Sequence, residues 1–413
     1  MRILLIHQYF LEKNDSGGSR FNEMTRVWGD QGVDITVLAG MIHANAPGKA
    51  EKYKGKYFVK DRFDEHLEVI RCHVSESYNV NFIGRLWGYF SFVFFSLWAG
   101  LFKTKGKYDL ILVTSPPLFV GITAFLLSKF KRIPYVFEIR DLWPESAIDT
   151  GVVTNKAIIK ISYWLEAFVY RHARLINVLT PAFRDTLLTK KNVPDEKIIY
   201  IPNAADFSLT EELLKTFDAK AFRNGLGISD ETLLITYVGA HGVANHLIQV
   251  VDVAEQLKNK PVVFLLIGDG MQKKMLKEEV KKRALTNIRF IDPVPKKEVF
   301  KYILASDLGA SVLKKVDTFK TVYSNKTFDY MACKKPILMA IDGVSRKLVE
   351  EAKAGVYVEP ENTADYLEKI EFYLNNRKEL AIQGLSGYEF ALRSFDREKL
   401  AAQYLTYLKE INV

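Results

Sequence analysis

Two stretches of this chain carry side chains whose types and spacing could do chemistry. The first is Phe137-Glu138-Ile139-Arg140-Asp141-Leu142-Trp143-Pro144-Glu145, directly after the apolar run Pro134-Tyr135-Val136. That run reads as a short buried strand. Ligands of open α/β sheets sit just past the carboxyl ends of strands, so Glu138, Arg140 and Asp141 stand where catalytic charge is expected; a salt-bridged turn covering a strand end is the plainer alternative. The second is Asn325-Lys326-Thr327-Phe328-Asp329-Tyr330-Met331-Ala332. If Asn325 opens a helix, Lys326 and Asp329 lie three apart on one face. An ammonium at a helix N-terminus suits a diphosphate, and a carboxylate one turn later could accept hydrogen bonds from a ribose. A solvent-facing ion pair is the alternative there.

Alternating strands and helices must position these groups. Residues 2–7 read as a first strand, a polar loop follows, and Gly17-Gly18-Ser19 opens a helix. Paired glycines at a helix start let a ligand approach, and the helix end favours an anion; a plain turn is as good a reading. Residues 40–65 read as a long polar excursion. Beyond a polar connection at residues 202–226 the pattern restarts. Leu233–Val238 leads into Gly239-Ala240-His241-Gly242, and Val262–Ile267 into Gly268-Asp269-Gly270. Strands spaced by helices imply parallel βαβ units. The expectation is an α/β chain of two Rossmann-like domains facing across a cleft, residues 1–203 and 204–393. The closing helix, residues 394–413, is expected to belong to the first domain.

Composition narrows the function. The two cysteines, Cys72 and Cys333, are far apart, which fits a reducing compartment and neither a disulfide scaffold nor a zinc site. No His or carboxylate cluster has metal-ligand spacing. No complete GxGxxG with its acid, no GxxxxGK[ST] and no GxSxG is present. The net charge of +9 suits an anionic membrane or phosphorylated substrates; nucleic acid is excluded for want of any recognition motif. The first residues are too short in apolar run for a signal peptide, so a cytoplasmic location is expected. Residues 86–102 hold no charge, carry Trp87, Phe94 and Trp98, and are flanked by Arg85, Lys103, Lys105 and Lys107. About 17 residues is at the bottom of the range for a span. The segment reads as a helix partly in the core and partly dipped into one leaflet, as a plain core helix, or as a span.

The order of motifs resembles the GT-B glycosyltransferases of family 4, in the branch of bacterial fucosamine-type transferases of O-antigen and capsule assembly. The matching pieces are Gly17-Gly18-Ser19, Glu138-Ile139-Arg140-Asp141-Leu142-Trp143-Pro144-Glu145-Ser146, Ile201-Pro202-Asn203, Tyr237-Val238-Gly239-Ala240-His241-Gly242, Leu266-Ile267-Gly268-Asp269-Gly270 and Asn325 to Ala332. The resemblance implies retaining transfer from a UDP-sugar, without metal or other cofactor, to a lipid-linked saccharide at the inner face of the plasma membrane. It implies the donor in the second domain and the acceptor in the first. Lys326 and the Gly17-Gly18 helix start fall to the diphosphate, and Asp329 to the ribose. Gly239, His241, Gly268, Asp269 and Asn325 join them around the donor, and Asp141, with Glu138 and Arg140, serves the acceptor hydroxyl or the sugar ring. The family's two glutamates, eight positions apart, become Thr321 and Asp329 here. No Arg or Lys follows the glycine turn at Gly239, and Ser115-Pro116 stands where many members have a histidine. Two other readings share some of these features: a UDP-HexNAc 2-epimerase of the same architecture, and a non-catalytic nucleotide-sugar-binding protein at the membrane.

Overall fold

The computed structural model describes residues 1–12, 20–42, 50–79 and 82–411. The described residues divide into two compact units: those among 1–12, 20–202 and 398–411 form unit 1, and 203–397 form unit 2.

Unit 1 is built on eight strands: β1 (Arg2–Ile6), β2 (Asp34–Gly40), β3 (Phe58–Arg62), β4 (Leu67–Cys72), β5 (Leu110–Ser115), β6 (Tyr135–Ile139), β7 (Leu175–Val178) and β8 (Ile198–Tyr200). Their order is β3-β4-β2-β1-β5-β6-β7-β8. Every pairing is parallel except β3 with β4. β1 and β5 are almost continuous aliphatic runs and are buried along their length, the pattern of a parallel strand covered on both faces. The order reverses between β1 and β5, the topological switch point at which such sheets bind ligands.

The stretch expected to be a long excursion contains β3, antiparallel to β4 with Lys60 opposite Ile70. Its residues are only partly covered, and a half-exposed edge strand with two lysine or arginine side chains does not read as a hydrophobic run.

Six helices complete the βα units: α1 (Arg20–Asp30), α2 (Phe82–Phe102), α3 (Val120–Lys131), α4 (Glu145–Asp149), α5 (Lys156–His172) and α6 (Pro181–Lys190). The aromatic segment is thus a 21-residue helix, α2, beginning four residues before the expected start. It is two-sided. Phe92, Ser96 and Ala99 are fully buried, whereas Trp87, Phe94 and Trp98 are 62%, 58% and 47% exposed. Gly100 lets α2 approach α3 so closely that a Cβ there would stand 2.5 Å from Leu127, and Ser96 Oγ and Thr123 Oγ1 share a hydrogen bond of 3.1 Å. Among the described residues no helix is long and apolar enough to cross a membrane, so the spanning alternative is overturned. The closing helix Arg397–Glu410 packs within unit 1: the fully buried Trp28 of α1 donates its indole N–H to Ala401 O at 2.8 Å. Burial of a side chain of that size stabilises by roughly 2–3 kcal/mol.

Unit 2 repeats the design with β9 (Leu233–Val238), β10 (Val262–Ile267), β11 (Ile288–Ile291), β12 (Leu308–Val312), β13 (Ile337–Ala340) and β14 (Gly355–Tyr357). All are parallel in the order β11-β10-β9-β12-β13-β14. That is the doubly wound mononucleotide-binding order, with its switch point between β9 and β12.

Candidate active site

In unit 2 the strand ends carry glycine turns that interlock. Gly239, Gly268 and Gly270 have φ of +140°, +140° and +157°, a region closed to most side chains. A Cβ on Gly268 would lie 2.0 Å from Gly239 O, and one on Gly270 2.6 Å from His241 O. Backbone hydrogen bonds tie the same loops together: Gly239 N–H to Ile267 O at 3.0 Å and His241 N–H to Asp269 O at 2.8 Å. The glycines are therefore required by the close approach of the two loops.

Onto this platform the helix Asn325–Ala332 brings Lys326. Its ammonium lies 4.7 Å from the Tyr237 ring centre, donates to Ser324 Oγ at 3.3 Å, and sits 3.7 Å from where a Cβ of Gly239 would be. Burial lowers the Lys326 pKa to about 8, against the opposing pull of Asp329. A cation so desolvated gains from any anion beside it. The helix is held in place by Tyr330, which sequence reasoning missed. Its hydroxyl accepts from Val238 N–H at 3.1 Å and reaches the carbonyls of Thr236 and Ala310 at 3.0 and 3.1 Å. Gly309 makes room for the Tyr330 ring, at 2.3 Å from a would-be Cβ.

His241 is fully buried between the rings of Tyr237 and Phe290, each 6.1 Å away. Burial, then the charge of Lys273, lowers its pKa to about 4, so it is neutral at pH 7. Neither ring nitrogen has a hydrogen-bond partner among the described residues. Asp269 turns its carboxylate onto Gly270 N–H at 2.8 Å and borders an open groove of 570 Å³ that also touches Lys273, Lys277 and Asp292. Lys326 is not part of that groove. Thr321 donates to Thr318 O at 2.6 Å and places no carboxylate there.

In unit 1 the strand ends carry charge instead. Glu138 is fully buried and saturated. Arg20 of α1 grips it through Nε–Oε1 at 3.0 Å and Nη2–Oε2 at 3.2 Å, and Asn177 Nδ2 donates to Oε2 at 2.9 Å. Arg20 and Asn177 also bind the backbone of Ile201 and Pro202. A group with both oxygens engaged in the core does not reach a substrate, so Glu138 is corrected from a catalytic to a positioning residue. Removing one partner of such a buried pair costs about 3–5 kcal/mol.

Asp141 differs. It is part-buried in the turn after β6 and accepts from Ser146 Oγ of α4 at 2.8 Å. Burial, helped by the charge of Glu145, raises its pKa to about 6. Behind it, Lys191 bridges Glu145 and Glu166, the latter at 2.7 Å. Burial lifts Glu166 to about 7. Arg140 donates its backbone N–H to Ser115 O at 3.1 Å, and its charge is felt at His7.

Two family descriptions match the chain consecutively: "Glycosyl transferase 4-like domain" over residues 17–204 and "Glycosyl transferases group 1" over residues 218–389. The chain belongs to the glycosyltransferases. A relative of this glycosyltransferase is WcaI of Escherichia coli (strain K12), assigned to colanic acid biosynthesis as a glycosyl transferase; it is 22% identical over 99% of this chain and all of its own. Solved structures share the fold. Sucrose-phosphate synthase of Thermosynechococcus elongatus superposes with TM-score 0.75 at 15% identity, covering 99% of this chain and 98% of its own. HepE of Anabaena, in complex with UDP-glucose, gives 0.71 at 16% identity, covering 99% and 100%. WaaG, a glycosyltransferase involved in lipopolysaccharide biosynthesis, gives 0.69 at 12%, covering 97% and 98%. The glycosyltransferase therefore has the GT-B fold of two Rossmann-like units.

The expected donor-side residues Gly239, Gly268, Asp269, His241, Asn325, Lys326 and Asp329 all lie on the β9 and β10 loops or the helix Asn325–Ala332. Asp141 and Arg140 share the β6 turn. Gly17 and Gly18 lie outside the described residues. Besides Tyr330, sequence reasoning missed Arg20 and Asn177, whose only signal was a lone basic and a lone amide residue at element ends.

Proposed function

We propose that this glycosyltransferase moves a sugar, with retention, from a UDP-sugar to a lipid-linked saccharide in bacterial surface polysaccharide assembly. The donor belongs to residues 204–393 and the acceptor to residues 1–203 with 394–413. The observation that carries the reading is the Lys326 ammonium held over Tyr237 at the Gly239 turn, beside the N-terminus of the helix Asn325–Ala332. An anion placed there meets a desolvated cation and unsatisfied backbone N–H groups together.

In the reaction, the bond from the sugar's anomeric carbon to the diphosphate oxygen breaks with its electron pair going to UDP. The acceptor hydroxyl oxygen bonds to that carbon on the same face and gives its proton to the departing phosphate oxygen. The protein contributes position and charge. Lys326 and the helix end take the diphosphate, a job a divalent cation does in other transferases, and the shorter Asp329 takes the ribose. Asp141 orients the acceptor hydroxyl or stabilises positive charge on the sugar ring. Support for a sugar nucleotide comes from the HepE neighbour, which holds UDP-glucose, and for surface polysaccharide from the WcaI and WaaG names. The donor on this reading is UDP-linked and carries an N-acetylated deoxy-amino sugar, as the resemblance to the fucosamine-type branch implies.

The exposed aromatic stripe of α2, Trp87, Phe94 and Trp98, followed by Lys103, Lys105 and Lys107, supports a seat in one leaflet of an anionic membrane on the cytoplasmic side.

The deciding experiment incubates the full chain with a panel of UDP-sugars and a lipid-linked acceptor, read by mass spectrometry. The expected result is an acceptor heavier by one sugar, in an amount equal to the UDP released. Conversion of UDP-HexNAc without acceptor favours the epimerase, and UDP binding with no turnover favours a binding protein.

A further inference from the structure

A polar row crosses the unit 1 sheet, and its two ends are finished differently. Register pairs Arg71 with Ala39, Thr114 with Glu138 and Glu138 with Asn177. His7 continues β1 one residue past Ile6, whose partners are Leu38 and Val113, and so falls between Ala39 and Thr114. Residues in register on neighbouring strands point to the same face of a sheet. At the β6–β7 end every polar atom of Glu138 is met by Arg20 and Asn177.

At the β4–β1–β5 end the groups are buried and unmet. Arg71 is fully buried and donates Nη1 to the carbonyls of Phe10 and Gly40, but Nε and Nη2 have no partner among the described residues. The same holds for His7 Nδ1, both amide atoms of Gln8 and Thr114 Oγ1, on residues no more than 2% exposed. Gln8 follows His7 but turns to the other face: a Cβ on Gly40, which is in register with Cys72 and not with Arg71, would stand 3.2 Å from Gln8 Cγ. The charge at this end is positive. Arg71 and Arg140 both act on His7, which burial keeps neutral. Glu12, whose carboxylate is hydrogen-bonded by Lys52 and Tyr53, also feels the charge of Arg71 but makes no hydrogen bond to it among the described residues.

Nε and Nη2 form the side-on edge of a guanidinium, which meets two oxygens of a carboxylate or phosphate at once. A buried cation left without such a partner costs several kcal/mol, and His7 and Thr114, at the ends of β1 and β5, flank the switch point. We propose that Arg71, with His7 and Thr114, forms the subsite for an anionic group of the acceptor, gripped bidentately by Arg71. This rests on the reading that unit 1 takes the acceptor. The anion is the carboxylate of an acidic sugar or a phosphate at the lipid end of the acceptor.

Calorimetric titration of the full chain with methyl glucuronide, glucose 1-phosphate and uncharged methyl glucoside tests it. An anionic probe should bind about tenfold tighter or more than the neutral one, the factor expected of a charge-assisted pair. Arg71→Gln should erase that gap and leave UDP binding unchanged. A gain with the glucuronide alone names an acidic sugar, a gain with the phosphate alone names the lipid end, and a gain with both means that either anion is accepted. Equal binding of charged and neutral probes, or a gap that survives Arg71→Gln, overturns the inference. Should thermal unfolding show that Arg71→Gln does not fold, His7→Phe and Thr114→Val decide: the gap narrows in both, or the subsite is wrong. Because the readout is binding, a chain that discriminates anions yet transfers no sugar refutes the transfer reading and leaves the subsite standing.

Discussion

The two units have the same strand order around their switch points but furnish the strand ends in opposite ways. Unit 2 ends β9 and β10 in glycine turns that touch backbone to backbone, with Lys326 delivered by a helix N-terminus. Unit 1 ends β4, β1, β5 and β6 in side chains: Arg71, His7, Thr114, Glu138 and Asp141. Backbone N–H groups and a helix end recognise a diphosphate, an anion common to many sugar nucleotides, and need no variety of side chains. Buried charged side chains discriminate shape and charge, because each leaves a costly orphan when its partner is wrong. On the proposed reading, the contrast would let one fold hold a general site and a particular one at topologically equivalent strand ends.

The sharpest break of this contrast is Lys326→Ala. If the donor side depends on that one cation, kcat falls about 10²–10³-fold, while thermal unfolding stays near wild type. Turnover near normal would return the diphosphate to groups elsewhere.

Next comes Asp141→Asn, expected to lower kcat about 10–100-fold with donor KM little changed. Burial favours the neutral form of Asp141, so its carboxylate is populated as pH rises through about 6. Wild-type kcat should fall as pH drops through that value, and the variant should lose the limb. A collapse of donor binding with kcat intact would move Asp141 to the donor side.

Glu166→Gln tests whether unit 1 carries charge at a cost. Its pKa rises from 4.5 to about 7 on folding, through burial first. The stabilising contribution of its protonated form is full below the unfolded value of 4.5 and is lost as pH rises through about 7. The variant should therefore match wild type in thermal midpoint at pH 4 and exceed it at pH 8. A midpoint lowered at pH 8 and unchanged at pH 4 would mean that Lys191 needs the Glu166 charge more than the core resents it.

The smallest effect is expected from Trp87→Ser with Phe94→Ser. Sedimentation with anionic liposomes should be lost, and the wild-type signal should weaken with salt. Folding and transfer to a soluble acceptor should change less than about twofold, since both side chains are mostly exposed. Unfolding of the double variant would show that α2 belongs to the core along its whole circumference.

The parallel strands were legible because burial on both faces leaves nearly continuous apolar runs: Leu233–Val238 and Val262–Ile267 have the expected bounds. β3 was not, since an edge strand alternates weakly and is rich in charge. The helix at Asn325 and the Lys326–Asp329 face were legible from local spacing. Glu138 was misread as catalytic because spacing shows a carboxylate at a strand end but not the arginine that saturates it, 118 residues earlier in the chain.

By itself the sequence determined the class of fold, the glycine turns and the positions of the charged groups. Each of these depends on residues near one another in the chain, where periodicity and backbone preference act. Only the tertiary structure decided which charges are closed off and which stay poised. Arg20 reaches Glu138, Lys191 reaches Glu145 and Glu166, and Arg71 keeps two N–H groups without a hydrogen-bond partner among the described residues. Whether a charged group reacts, positions or waits for a ligand is set by desolvation and by its partners, and in a parallel sheet those partners come from strands and helices distant in sequence.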